Sequence, residues 1–159
     1  MPAPDPAAVE RFAAALTAID PCGPIALAVS GGADSMAMLA LARAAFPGRI
    51  IAATVDHQLR TSAADEAALV AAYCATLGVP HMILTPDAPI AGASIQAQAR
   101  GARYRLLRAW AGDAGAVALL TAHHADDQAE TFLMRAVRGS GVPGAYCMFG
   151  QFTPYTKPK

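Results

Sequence analysis

The feature that most limits how this chain can fold is an alternation. Four short apolar runs, at residues 25–29, 49–55, 80–84 and 116–121, are separated by stretches whose apolar residues recur at helical spacing. Runs of this length bounded by turn residues read as buried strands. Strands that alternate with helices form βαβ units, with right-handed crossovers and a parallel sheet covered on both faces. The expected fold class is therefore α/β. On such a sheet, ligands bind beyond the carboxyl ends of the strands, so chemical residues should directly follow strands.

The helices carry start and stop signals. Asp5-Pro6 places an N-cap and a proline in the first turn, for a helix to about Ala18 that Pro21, Gly23 and Pro24 end. A second helix would pack through Met38, Leu41, Ala42, Ala45 and Phe46 and stop at Pro47-Gly48. Ser62 with Asp65 resembles a capping box, and opens a helix facing the core with Leu69, Val70, Tyr73, Cys74 and Leu77 before Gly78. Residues 86–92 read as a loop. Ser94 starts a helix with Ile95, Ala99, Ala102, Leu106 and Trp110 on one side, and a last helix begins near Ala125. Residues 146–159 lack periodicity and read as a loop or frayed tail after a domain spanning 1–145.

Composition excludes several classes. The chain has 159 residues, enough for one ordinary core. It is 55% hydrophobic and 15% charged, unlike a disordered chain. Its apolar runs are far too short to span a bilayer, and the start shows no basic run followed by an apolar core, so a cytoplasmic location without membrane contact is expected. The cysteines Cys22, Cys74 and Cys147 form no C-x-x-C, which leaves a zinc ribbon, a redox pair or a cluster without its ligand spacing. Twelve basic and twelve acidic residues balance, so bulk charge gives no support for nucleic-acid binding, although Arg100, Arg103, Arg105, Arg108, Arg135 and Arg138 all lie in the second half.

The strongest local signal is Ser30-Gly31-Gly32-Ala33-Asp34-Ser35, between the first strand and the next helix. Two glycines allow close backbone approach to an anion. Consecutive N–H groups in such a turn form a nest, the helix N-terminus adds its positive end, and Ser30 and Ser35 bring hydroxyl donors. The string is neither a Walker A loop nor G-x-G-x-x-G. The alternative is a plain βα turn capped by Ser and Asp.

Other strings also follow strands. Val55-Asp56-His57-Gln58-Leu59-Arg60 ends the second one, with His57 either a site residue or a loop histidine and Asp56 either a site or a turn residue. Arg100 and Arg103, three apart within QAQARGARY, either clamp an anion or form a surface pair beside Leu106 and Trp110. His123-His124-Ala125-Asp126-Asp127 follows the fourth strand. Acids there suit a helix dipole in any case, and zinc would want more converging ligands than this spacing supplies. Arg138-Gly139-Ser140-Gly141 is a glycine-capped helix end or a nucleotide contact.

Ser-Gly-Gly-x-Asp-Ser resembles the PP-loop of the N-type ATP pyrophosphatases. Taken in order, the strings VDHQLR, QAQARGARY, TAHHADDQAETFL and RGSG resemble the tRNA(Ile)-lysidine synthases of that superfamily, over roughly residues 22–145. The resemblance implies a Rossmann-like fold of the adenine nucleotide alpha hydrolase type. It implies ATP and Mg2+, with Ser30, Gly31, Gly32, Ala33, Asp34, Ser35, Asp56, His57, His123, Arg138 and Gly139 about the nucleotide. Asp34 would help position Mg2+ on the phosphates. Arg100 would stabilise transition-state charge, Asp127 would serve adenylation, and Gln128, Glu130 and Thr131 would orient their helix.

The implied reaction joins free lysine to the wobble cytidine of tRNA(Ile). The cytidine C2 oxygen attacks the α-phosphate of ATP and pyrophosphate leaves; the lysine amine then attacks C2 and expels AMP. The family's tRNA-gripping C-terminal domains are expected to be absent, so this chain should bind ATP yet modify tRNA weakly or not at all. The rival readings are a tRNA thiolase of the same superfamily and a nucleotide-binding remnant without catalysis.

Overall fold

The computed structural model describes residues 3–16, 22–58, 62–87 and 94–122. In chain order the elements are α1 (Pro6–Ala15), β1 (Ile25–Ala28), α2 (Ala33–Ala45), β2 (Ile50–Val55), α3 (Ser62–Leu77), β3 (His81–Leu84), α4 (Ile95–Asp113) and β4 (Ala118–Thr121). The four strands make one parallel sheet in the order β3-β2-β1-β4. Ile25 of β1 registers with Ile50 on one side and Ala118 on the other, and Ala52 of β2 registers with His81.

This order follows from the crossovers. The path β1–α2–β2–α3–β3 moves one way across the sheet, and right-handed connections place α2 and α3 on one face. The return from β3 to β4 reverses direction and lays α4 on the opposite face, where it packs against β2 and β4. With helices on both faces the central strand has no solvent side: Ile25, Ala26 and Leu27 are all fully buried. Around them lie Val29, Leu39, Ala42, Ile50, Ala52, Val70 and Cys74. The α/β class and the parallel sheet expected from the alternation are both present.

α1 begins as its sequence dictates. Asp5 accepts a hydrogen bond from the Ala8 amide at 3.2 Å, and Pro6 fills the first turn, where a missing N–H costs nothing. The helix ends at Ala15 and packs on α2, with Phe12 tilted against Phe46 at 6.5 Å. Arg49 lies over the Phe46 ring and donates from Nε to the Gly23 carbonyl at 2.9 Å, tying the end of α2 to the entry of β1.

Three helix faces differ from the sequence expectation. On α2 the buried line is Ser35, Met38, Leu39, Ala40 and Ala42, whereas Leu41, Ala45 and Phe46 are only half-buried. On α3 the buried residues are Ala67, Val70 and Cys74, and Leu69 is 71% exposed. α4 buries Ala99, Ala102, Leu107 and Ala111, with Leu106 and Trp110 half-buried and Ile95 exposed. Ser94 sits at a positive φ of 61° and makes no side-chain cap, so α4 starts on the backbone bond from Gln98 N to Ser94 O. The Ser62 side chain, the helix expected from Ala125 and the tail at 146–159 lie outside the described residues.

Candidate nucleotide site

The sheet order reverses between β1 and β4, and at such a switch point a crevice opens beyond the carboxyl ends of the strands. The chain segment that leaves β1 there is the glycine loop. Its entry is fixed by two bonds from β2: Val29 N donates to Ala53 O at 2.9 Å, and Thr54 Oγ1 donates to Val29 O at 2.7 Å. Gly31 then turns through a positive φ of 87°, a conformation strained for a side-chain-bearing residue, and Gly32 becomes the N-cap of α2.

Ser35 braces this turn from beneath. Its side chain is buried, at 5% exposure. Its hydroxyl donates to Gly32 O at 2.9 Å and accepts from Ser30 N at 3.2 Å and from Ser30 Oγ at 3.3 Å. A hydroxyl has one proton, and here the Gly32 carbonyl takes it. Ser35 is therefore a strut of the loop in this structure, where the sequence reading expects a hydroxyl donor to an anion. Ser30, Gly31, Gly32, Ala33 and Asp34 are exposed at the loop surface, with Asp34 in the first turn of α2.

A second bracing group escaped the sequence reading. Thr54, 5% exposed, lies 2.9 Å from His81 Nε2 as well as bonding Val29 O. The Thr54 proton goes to the carbonyl, which can only accept. His81 Nε2 must then carry hydrogen and donate to Thr54 Oγ1. Burial pushes the His81 imidazole below its usual range, consistent with a neutral ring. β1, β2 and β3 are thus pinned side by side just below the loop.

Beyond β2 the Asp56 carboxylate accepts from Gln58 N at 2.8 Å, which closes a tight turn with Gln58 at φ 55°. Asp56 N is bonded to Leu84 O. His57 is half-buried, and its Nε2 accepts from Arg103 Nε at 3.2 Å across to α4. An arginine Nε can only donate, so the neutral ring carries its proton on Nδ1, a buried atom without a partner among the described residues. Burial first, and then the Arg103 charge, hold His57 below the usual imidazole range, while Asp56 pulls the other way.

The two arginines expected to act together are separated. Arg103 is half-buried against His57, whereas Arg100 is exposed and lies over the Tyr104 ring at 5.5 Å. His123, Asp127, Arg138 and Gly139 lie outside the described residues; β4, which precedes them, ends with Thr121 level with Ala28 of β1. Among the described residues no group of three or more His, Cys, Asp or Glu side chains could cage a metal. The donor set at the loop fits Mg2+ only as an ion carried mainly by phosphate oxygens with a single carboxylate, Asp34, beside it. No described helix is long and apolar enough to cross a membrane.

Comparison with known proteins agrees with this geometry. A family model described as a PP-loop domain matches residues 6–157. The chain is 54% identical over 123 residues to the tRNA(Ile)-lysidine synthase of Zymomonas mobilis, covering 77% of this chain and 37% of that one. It is 47% identical over 137 residues to the enzyme of the same name from Novosphingobium aromaticivorans, covering 86% and 42%. It therefore spans about two fifths of the length of these relatives. Among solved structures, a U34-tRNA thiolase from Methanococcus maripaludis with its 4Fe-4S cluster superposes with a TM-score of 0.71 at 18% identity, over 86% of this chain and 51% of that one. An NH3-dependent NAD synthetase from Campylobacter jejuni gives 0.53 at 17% identity, over 70% and 52%. At that identity the two structures share the fold, while the sequence likeness at about half identity is to tRNA(Ile)-lysidine synthases. With a glycine loop braced at the sheet's switch point and a family match over nearly its whole length, the chain belongs to the PP-loop domain family.

Proposed function

We propose that this chain carries the ATP-binding, adenylating site of a tRNA(Ile)-lysidine synthase. The observation that supports this best is the loop itself. Ser35 and Gly31 hold residues 30–34 as an exposed backbone turn at the start of α2, where N–H groups and the helix dipole favour a polyphosphate. The likeness to the named synthases points to the substrates: ATP, free lysine and the wobble cytidine of tRNA(Ile).

In this reading the loop holds the β and γ phosphates while the cytidine C2 oxygen attacks the α-phosphate. Asp34 would hold Mg2+, which would neutralise phosphate charge, and Ser30, Asp56 and His57 flank the nucleotide. Arg100, His123, Asp127, Arg138 and Gly139 take the roles that the family likeness gives them. The lysine amine then displaces AMP from C2. Residues 1–145 form the ATP-binding unit. The location that fits this reading is the cytoplasm.

The thiolase reading is less favoured. Cys22 is exposed and Cys74 is buried on the core face of α3, so these two do not converge. Calorimetry with Mg·ATP on the chain and on Asp34→Ala tests the proposal. Saturable binding that weakens about tenfold or more in the variant is expected, the scale of a lost charge-assisted contact. A well-folded chain that does not bind ATP would overturn it in favour of a non-catalytic remnant. ATP–pyrophosphate exchange with and without tRNA then separates adenylation from binding.

A further inference from the structure

We infer that Thr54 and His81 are positioning residues for polyphosphate binding: together they fix the peptide plane from which the glycine loop departs. On the ATP-binding reading above, on which this rests, neither residue touches the nucleotide.

The chain leaves β1 for the loop through one peptide group, Val29–Ser30, and hydroxyls hold both of its polar atoms. The Val29 carbonyl accepts from Thr54 Oγ1 at 2.7 Å, and the Ser30 N–H donates to Ser35 Oγ at 3.2 Å. The Val29 N–H, bonded to Ala53 O at 2.9 Å, places the strand end but leaves ψ of Val29 free to turn. A peptide group is planar, so pinning its oxygen closes that freedom. Ser35 belongs to α2 and moves with the loop, whereas Thr54 belongs to β2 and ties the plane to the sheet. A nest binds an anion only when its consecutive N–H groups converge, and a tilt of this plane turns every N–H that follows it.

Thr54 needs an alignment of its own. A threonine hydroxyl rotates to suit its neighbours and has one proton to give. Here the proton goes to Val29 O, while the oxygen accepts from His81 Nε2–H at 2.9 Å, so both functions of the hydroxyl are engaged. At 5% exposure Thr54 has little water to compete for it. His81 stands in register with Ala52 on β3, the end strand of the described sheet. The alignment therefore crosses three strands before it reaches the loop. Burial lowers the His81 pKa, which suits the ring to act as a neutral donor.

The test is calorimetry with Mg·ATP, with magnesium pyrophosphate as a base-free probe and adenosine as a phosphate-free one, at a temperature where unfolding curves show each variant folded. Thr54→Val removes the hydroxyl and keeps the shape, and His81→Leu removes the donor. Thr54→Ser and His81→Gln restore a hydroxyl and an N–H. Thr76→Val, which loses a hydroxyl bond to Tyr73 O near the end of α3, is the control and should bind all three probes as the parent does. Thr54→Val should weaken ATP and pyrophosphate binding about fivefold or more, the scale of a loop that must be ordered again, with adenosine unchanged within about twofold. His81→Leu should give part of that loss, and none beyond Thr54→Val when the two are combined, as residues acting in series require. Both restoring variants should bind within about twofold of the parent. A merely structural contribution lowers stability and leaves the ratio of pyrophosphate to adenosine affinity where it was. Thr54→Val or His81→Leu binding pyrophosphate as the parent does would overturn the inference. So would a parallel loss of adenosine affinity, or a loss that Thr54→Ser does not repair, which marks methyl packing. A parent chain that fails to bind ATP overturns the proposed function and this inference together, whereas a parent that binds and variants that bind equally overturn this inference alone.

Discussion

Ser35→Ala asks whether the phosphate loop is held by its own internal bonds. The substitution removes the acceptor for Ser30 N and the donor to Gly32 O. Gly32 O keeps its helical bond from Met36 N at 3.0 Å, so it is not stranded. The Ser30 hydroxyl is exposed and turns to water. The cost therefore falls mainly on Ser30 N–H, a part-buried donor left without a partner, worth about 1–2 kcal/mol. Alanine's better helix propensity returns about 0.5 kcal/mol, leaving a loss of about 1 kcal/mol. For a domain this size that lowers Tm by roughly 2–4 °C. Nucleotide affinity should fall further than stability suggests. A released loop must be ordered again on binding, and fixing one backbone residue costs about 1–2 kcal/mol, or roughly 5- to 30-fold in Kd. Chemical denaturation and ATP calorimetry on the same preparations give both numbers. Ser30→Ala, which loses one 3.3 Å contact at an exposed side chain, should change stability by less than about 0.5 kcal/mol. If Ser35→Ala lowered affinity and left stability untouched, the hydroxyl would be a direct phosphate donor and the strut argument would fail. If stability fell and affinity did not, the loop would not need its brace to bind.

Three further outcomes follow from the same contacts. Thr54→Val keeps shape but strands Val29 O and His81 Nε2–H, and should cost about 2 kcal/mol in denaturant unfolding, with Thr54→Ser recovering most of it. His57 and His81 both have folded pKa values below the usual 6.5, so below that pH the unfolded chain binds more protons than the folded one. Stability should be fully present above about pH 6.5 and fall as pH drops beneath it. His57→Gln should shallow that slope, and a slope identical to the parent's would contradict the assignment for His57. Gly101 lies inside α4, is exposed, and an added Cβ would meet nothing within 4 Å, so Gly101→Ala should stabilise by about 0.5–1 kcal/mol; a loss of thermal stability would refute the steric reading.

What the sequence made legible was local. Each expected strand is present to within two residues at either end, because an apolar run between turn residues has few other readings. The loop at 30–35 was placed by the strand before it and the helix after it. The helix faces were harder, because alanine-rich helices present apolar residues on every side. On α2 the series through Met38 and Ala42 allows either Leu41 and Ala45 or Leu39 and Ala40 beside them. The phase is chosen by Ser35, which is drawn inward to brace the loop, and a serine is not counted when apolar periodicity is read. Leu69 on α3 is exposed because small Ala67 takes the buried position one turn before Val70 and two turns before Cys74. The contacts that complete the site had no sequence signal. Thr54 reads as an ordinary β-branched strand residue, yet it meets His81, 27 residues on, and His57 meets Arg103 across 46 residues.

The same separation explains how a chain of zero net charge can offer an anion site. Attraction at a cleft depends on local potential, and opposite charges that pair elsewhere on the surface contribute little to it. At this sheet edge the orienting work falls to neutral groups. Ser35 and Thr54 hold the loop by hydroxyl bonds, His81 supports Thr54 as a neutral ring, and His57 supports Arg103 in the same way. A buried carboxylate in any of those places would hold geometry equally well but would oppose a polyphosphate and need charge compensation of its own. Asp34 stands apart from this arrangement at the exposed start of α2, where the helix dipole favours it and a phosphate-borne cation would need it. Rigid neutral struts beneath, backbone donors above and a single acid at the rim leave the negative charge of the site to an incoming polyphosphate.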